Sequence, residues 1–260
     1  MRQDAIRSKQ RGAVLLIFTF VLAVLFGTFL ISRMNQNESA RDISQITDTK
    51  ARLARIENSF VDYAARMIRL PCPADGALPD GDIEAGREVR DHTQMTLDNC
   101  NAGALARGVV PWLELGLSAD DARDGWNRRI SYRPFDGFWD GQGGSSWTDG
   151  NSLTADRALD APCLNNQGLF VTGFSNMIPR KKNGAAFVLI SHGANGNGAW
   201  LVSGAQMPSP SDRNEIDNTT MAGPFRDLAE TTTFDDSLQA MTLTDLAEET
   251  GLTAPTKVCP

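Results

Sequence analysis

Apolar and polar positions along the chain fall into three regimes. From Ala13 to Ser32 nearly every residue is apolar and none is charged. From Ile43 onward the pattern changes: Ile43, Ile46, Leu53, Ile56, Phe60, Tyr63, Ala64 and Met67 recur at steps of three, four or seven, while Arg41, Asp48, Lys50, Arg52, Arg55 and Asp62 mostly fill the positions between. That spacing puts the apolar side chains on one face of a helix. No proline and only one glycine, Gly27, occur between Ala13 and Arg69. The pattern therefore predicts one long helix of about 85 Å, ended by Leu70-Pro71 because a residue before proline avoids helical angles. The third regime begins at Pro71. A Pro-, Gly-, Asp- and Asn-rich loop runs to Gly108, and strand-like runs follow at 130–135, 168–174, 185–191 and 199–203. The run 187–190 and the run 200–202 flank His192-Gly193-Ala194-Asn195-Gly196-Asn197-Gly198, which reads as a hairpin connection in an antiparallel sheet. Leu243 to Glu249, stopped by Gly251, reads as a short terminal helix.

The first regime is long enough for a membrane span, since twenty helical residues cover roughly 30 Å. Arg2, Arg7, Lys9 and Arg11 precede it against a single acid, Asp4. The positive-inside rule then places residues 1–12 in the cytoplasm and everything after Arg33 outside it. The expected organisation is a basic leader (1–12), a transmembrane helix (13–32), an amphipathic continuation (33–69) and a globular periplasmic domain (70–260), in the inner membrane of a two-membrane bacterium. Four widely spaced cysteines, Cys72, Cys100, Cys163 and Cys259, agree with an oxidising compartment. Three pairings exist; Cys72 with Cys100 and Cys163 with Cys259 would each staple one contiguous region.

A net charge of -7 and a pI near 4.9 argue against direct nucleic-acid binding, because phosphates repel such a surface. The one short basic run, Arg180-Lys181-Lys182, reads as a solvated turn. Asp136, Asp140 and Asp149 lie in a Gly-rich loop whose oxygens could hold calcium, although Asp and Gly turn chemistry accounts for the same residues. Asp75, Asp80 and Asp82 form a second such group. No other cofactor is indicated. Ser191 beside His192 offers the materials of acyl transfer, but neighbours at a strand end point opposite ways. No G-x-S-x-G elbow or phosphate-binding loop is present, and no enzymatic activity is expected. Most of the five tryptophans read as core; Trp139 and Trp147, in the Gly-rich loop, are candidate partner contacts.

A basic leader ending in Gly12, an apolar then amphipathic helix, and a cysteine-stapled sheet domain together resemble the type IV pilin and pseudopilin family. The segments Leu70-Pro71-Cys72-Pro73-Ala74-Asp75-Gly76, Pro111-Trp112-Leu113-Glu114-Leu115-Gly116-Leu117, Asp124 to Tyr132 and Ser191-His192-Gly193-Ala194-Asn195-Gly196 are similar to motifs of a bacterial group within it. The resemblance implies an α+β, pilin-like fold with the long N-terminal helix packed on an antiparallel sheet. It implies cleavage by a prepilin peptidase between Gly12 and Ala13, an inner-membrane assembly platform, and other pilin or pseudopilin subunits as partners. That family usually carries Glu at the fifth mature position, where this chain has Ile17, and subunits without it tend to be minor ones. The implied function is a minor pilin or pseudopilin of a type IV pilus or type II secretion-like filament, as a tip or priming component. The rival from another class is an anchored periplasmic binding protein or hydrolase.

Overall fold

The computed structural model describes residues 2–67, 69–91, 99–100, 108–135, 169–173, 185–221, 224–231 and 233–251; within these, the side chains of 2–17, 27, 29–40, 91, 99 and 243–244 are not described. The chain divides into two compact units, Met1–Ser44 and Gln45–Pro260. Helix α1 runs Arg2–Met67 and ends two residues earlier than the sequence pattern predicts.

In the second unit a five-stranded sheet has the order β1 (Ala74–Asp75), β4 (Gly108–Val109), β5 (Ser131–Pro134), β7 (Ala185–Ser191), β9 (Ser237–Thr242), and every neighbouring pair is antiparallel. Two smaller ladders stand beside it. Strands β2 (Arg90–Asp91) and β3 (Asn99–Cys100) pair antiparallel, whereas β6 (Val171–Gly173) and β8 (Phe225–Asp227) pair parallel. Two seven-residue helices complete the described elements: α2 (Arg213–Thr219), capped by Asp212, and α3 (Leu243–Glu249), capped by Thr242.

Strand β7 organises the core. All seven of its residues are buried, as its unbroken apolar run requires of a strand covered on both faces. Phe187 and Leu189 join a cluster with Leu53, Ile56, Phe60 and Ala64 of α1, while Val188 and Ile190 face a second cluster with Met221 and Phe225. Phe60 lies between Tyr132 (4.4 Å) and Phe187 (4.9 Å), so helix and sheet share one aromatic stack.

Three expectations are corrected here. The expected single-pass inner-membrane protein is not supported, because among the described residues no helix is long and apolar enough to cross a membrane. The expected fold, a long membrane-spanning and then amphipathic helix packed as one piece on an antiparallel sheet in the pilin manner, is corrected too. The division after Ser44 leaves only Gln45–Met67 of α1 with the sheet, the apolar face is buried only from Leu53 to Ala64, Ile43 and Met67 are exposed, and a parallel ladder accompanies the antiparallel sheet. Third, 187–190 and 200–202 do not form a hairpin. β7 pairs with β5 and β9, and Trp200 makes only isolated bridges to Arg129 and Gln206.

Candidate functional site

Three of the sequence segments singled out above meet at two adjacent arginines. Asp124 and Arg128 close a tight turn: the backbone N–H groups of Trp126 and Arg128 both donate to Asp124 Oδ1 at 2.9 Å. Burial pushes the Asp124 carboxyl up, against the Arg128 backbone N–H, the Arg128 guanidinium and the Ser191 hydroxyl, which all favour its charge. The turn aims its two guanidinium groups in different directions. Arg129, 1% exposed, donates to Gly76 O (2.9 Å) and Leu78 O (2.6 Å) and pairs with Asp80 (2.5 Å). Arg128 donates to Gly193 O (2.5 Å) and Ala194 O (3.3 Å). A Cβ on Gly196, at φ 67°, would lie 1.5 Å from Arg128 Nη1, so glycine there follows directly from the arginine.

The Leu70–Gly76 segment is pinned by further groups. Arg69 and Glu88 form a buried two-point ion pair (2.6 and 2.8 Å), and Glu88 Oε2 also accepts from Cys72 N at 2.9 Å. Tyr132 donates its hydroxyl to Pro71 O at 2.9 Å. The structure pairs Cys72 with Cys100 in a disulfide that closes a separation of 28 residues. On loop-closure grounds that bond contributes about 3 to 4 kcal/mol. Asp80 is taken by Arg129 and Arg123, and Asp75 Oδ1 and Asp82 Oδ1 accept turn N–H groups. The second calcium candidate, Asp75, Asp80 and Asp82, is therefore a set of structural partners.

On the far side of the 192–198 loop lies a second, acidic grouping. Ser191 and His192 turn to different partners: the Ser191 hydroxyl donates to Asp124 Oδ2 (2.8 Å), and His192 Nε2 lies 3.0 Å from Ser131 Oγ. The imidazole is 1% exposed. Its other nitrogen, Nδ1, lies 3.6 Å from Asp236 Oδ1, beyond hydrogen-bond distance. Asp236, Asp235 and Glu215 gather carboxylate oxygens within 4.8 Å of one another. One oxygen on each is held by a neutral donor: Asn195 Nδ2 to Glu215 (2.8 Å), Asn195 N to Asp235 (2.8 Å) and Asn218 Nδ2 to Asp236 (2.8 Å). Asp235 Oδ1 and Asp236 Oδ1 are buried without a partner. Burial raises the Glu215 carboxyl; the Asn195 bond opposes the rise and the nearby Asp236 adds to it.

Ser131, His192 and Asp236 have the residue types of a nucleophile, a base and an orienting acid. Ser131 is only 3% exposed within β5, so its hydroxyl has no surface at which to meet a substrate. Asp236 also lines a groove of about 590 Å³ with Lys50, Leu53, Glu230, Ser237 and Gln239. None of these partners of His192 was legible in the sequence. They are single polar residues on separate strands and loops, joined only by the order of the sheet.

The first unit presents a different kind of surface. Phe18, Phe20, Val21, Leu22, Val24, Leu25 and Phe26 of α1 are all exposed, Phe20 by 71%. Gly12 and Ala13, the expected cleavage pair, lie in α1 among residues whose side chains are not described. Cys163, Cys259, Asp136, Asp140, Asp149, Trp139, Trp147, His92 and the 180–182 basic run lie outside the described residues. Compared with known protein families, characterised proteins and solved structures, the chain has no significant match.

Proposed function

We propose that this chain is a structural subunit of a filament, a minor pilin or pseudopilin, which joins other subunits through the apolar part of its N-terminal segment. The observation that carries the reading is the row of large exposed apolar side chains from Phe18 to Phe26. A contiguous apolar surface of this kind is a docking surface, because each side chain covered on assembly contributes roughly 1.5 to 3 kcal/mol. The occupant that fits is the same kind of segment on another subunit, whose apolar side chains have the same need. On this reading the partners are other pilin or pseudopilin subunits, and a prepilin peptidase trims the leader between Gly12 and Ala13. The role is assembly and asks for no catalysis.

Sedimentation of the full-length chain against a variant with Phe18, Phe20, Leu22, Leu25 and Phe26 changed to serine tests the reading. The expected outcome is a self-associating or co-associating parent and a monomeric variant with unchanged circular dichroism. A parent that stays monomeric both alone and with other filament subunits would sink the proposal.

A further inference from the structure

Three carboxylates meet beside His192 with no cationic side chain bonded to the two buried oxygens Asp235 Oδ1 and Asp236 Oδ1. A cluster of acids alone would mean little. The independent sign is the imidazole: a fully buried ring whose Nδ1 has no hydrogen-bond partner and is aimed at Asp236 Oδ1 across 3.6 Å. A nitrogen and an oxygen that ligate one ion at about 2.1 Å each stand roughly 3 to 4 Å apart, so this separation suits an ion lodged between them.

The surroundings follow the same logic. A ligating histidine commonly fixes its other nitrogen with a hydrogen bond, and His192 Nε2 has Ser131 Oγ at 3.0 Å. Ligating carboxylates are themselves held by outer donors, here Asn195 and Asn218, which leave Asp235 Oδ1 and Asp236 Oδ1 open. Of these four residues, Asp236 also borders the groove described above. We propose that Glu215, Asp235, Asp236 and His192 Nδ1 bind one divalent cation, with Ser131 as a positioning residue for the imidazole. A mixed nitrogen and oxygen donor set favours Mn²⁺ or Zn²⁺ over Ca²⁺, which takes oxygen ligands.

The test is calorimetric titration of the chelator-treated full-length chain with ZnCl₂, MnCl₂ and CaCl₂ in turn, paired with ¹⁵N spectra of the histidine side chains. The sequence contains only His92 and His192, so a His92→Gln variant assigns the signals. The expected result is one Zn²⁺ or Mn²⁺ per chain and a displaced or broadened His192 Nδ1 signal, with affinity weakened more than about tenfold in Glu215→Gln and Asp236→Asn. Should either variant fail to fold, the parent's His192 signal still decides. Saturation by Ca²⁺ alone with His192 unmoved overturns the proposal, as does the absence of saturable binding or equal affinity in both folded variants.

Discussion

The two charged groupings on either side of the 192–198 loop are built from similar parts and reach opposite ends. In the arginine pair each buried guanidinium is met by carbonyl oxygens or a carboxylate from a distant segment: Gly76, Leu78 and Asp80 for Arg129, Gly193 and Ala194 for Arg128. In the acidic grouping the donors are neutral amides, and Asp235 Oδ1, Asp236 Oδ1 and His192 Nδ1 are buried without a hydrogen bond. Burying charge is costly unless it is compensated. Apart from Arg129 Nε, the first grouping meets that condition from within the chain and so acts as a structural clamp, whereas the second leaves it to be met by something from outside.

The contrast is broken most severely at Arg129. Replacing it with alanine leaves Asp80 with Arg123 alone and two loop carbonyls without their donor, and is expected to cost about 3 to 5 kcal/mol in urea unfolding. Gly196→Ala attacks the same clamp from the loop side. Its Cβ would displace the Arg128 guanidinium and sit at a φ that L-residues avoid, for an expected loss of about 1 to 3 kcal/mol. The acidic grouping is expected to answer in the other direction. Asp236→Asn removes one of three crowded charges while an amide oxygen can still accept from Asn218, so the metal-free protein should gain up to about 1 kcal/mol. A loss in chelator of the size expected at Arg129 would show that the acids are held as structural partners.

These groupings also show how far the sequence could be read. The buried run 185–191, the helix 243–249 and the apolar positions Leu53, Ile56, Phe60 and Ala64 were legible because each depends on local periodicity. The segments around Asp124–Tyr132 and Ser191–Gly196 stood out as motifs, yet nothing local says that Arg128 reaches Gly193 or that Arg129 reaches Gly76. The hairpin reading failed for a related reason. Gly193, Gly196 and Gly198 supply the positive φ angles of a turn, but they serve close approach to Asp235, Arg128 and Thr219 rather than a return of the next strand. The membrane-span expectation rested on a run of apolar residues, which specifies that a surface must be covered but not what covers it.

Another buried group without a partner, Tyr63, gives the finest test. Its ring is buried at 4% exposure under the Arg69 guanidinium (5.2 Å), and its hydroxyl has no partner. Unlike the carboxylate oxygens it is neutral, so the cost is only that of an unpaired hydroxyl. Tyr63→Phe should therefore stabilise the protein at neutral pH by no more than about 1 kcal/mol. The alkaline limb magnifies the difference. Burial first, then the charges of Glu88 and Glu114 against those of Arg69 and Arg90, push the Tyr63 hydroxyl up to about 12 from 10.0. The folded chain then keeps this proton at pH values where the unfolded chain has lost it, so the contribution is intact below pH 10 and falls away as pH rises toward 12. Urea midpoints across that window should drop more steeply in the parent than in Tyr63→Phe; parallel slopes would mean that the hydroxyl is reached by water and shares nothing with the buried carboxylates.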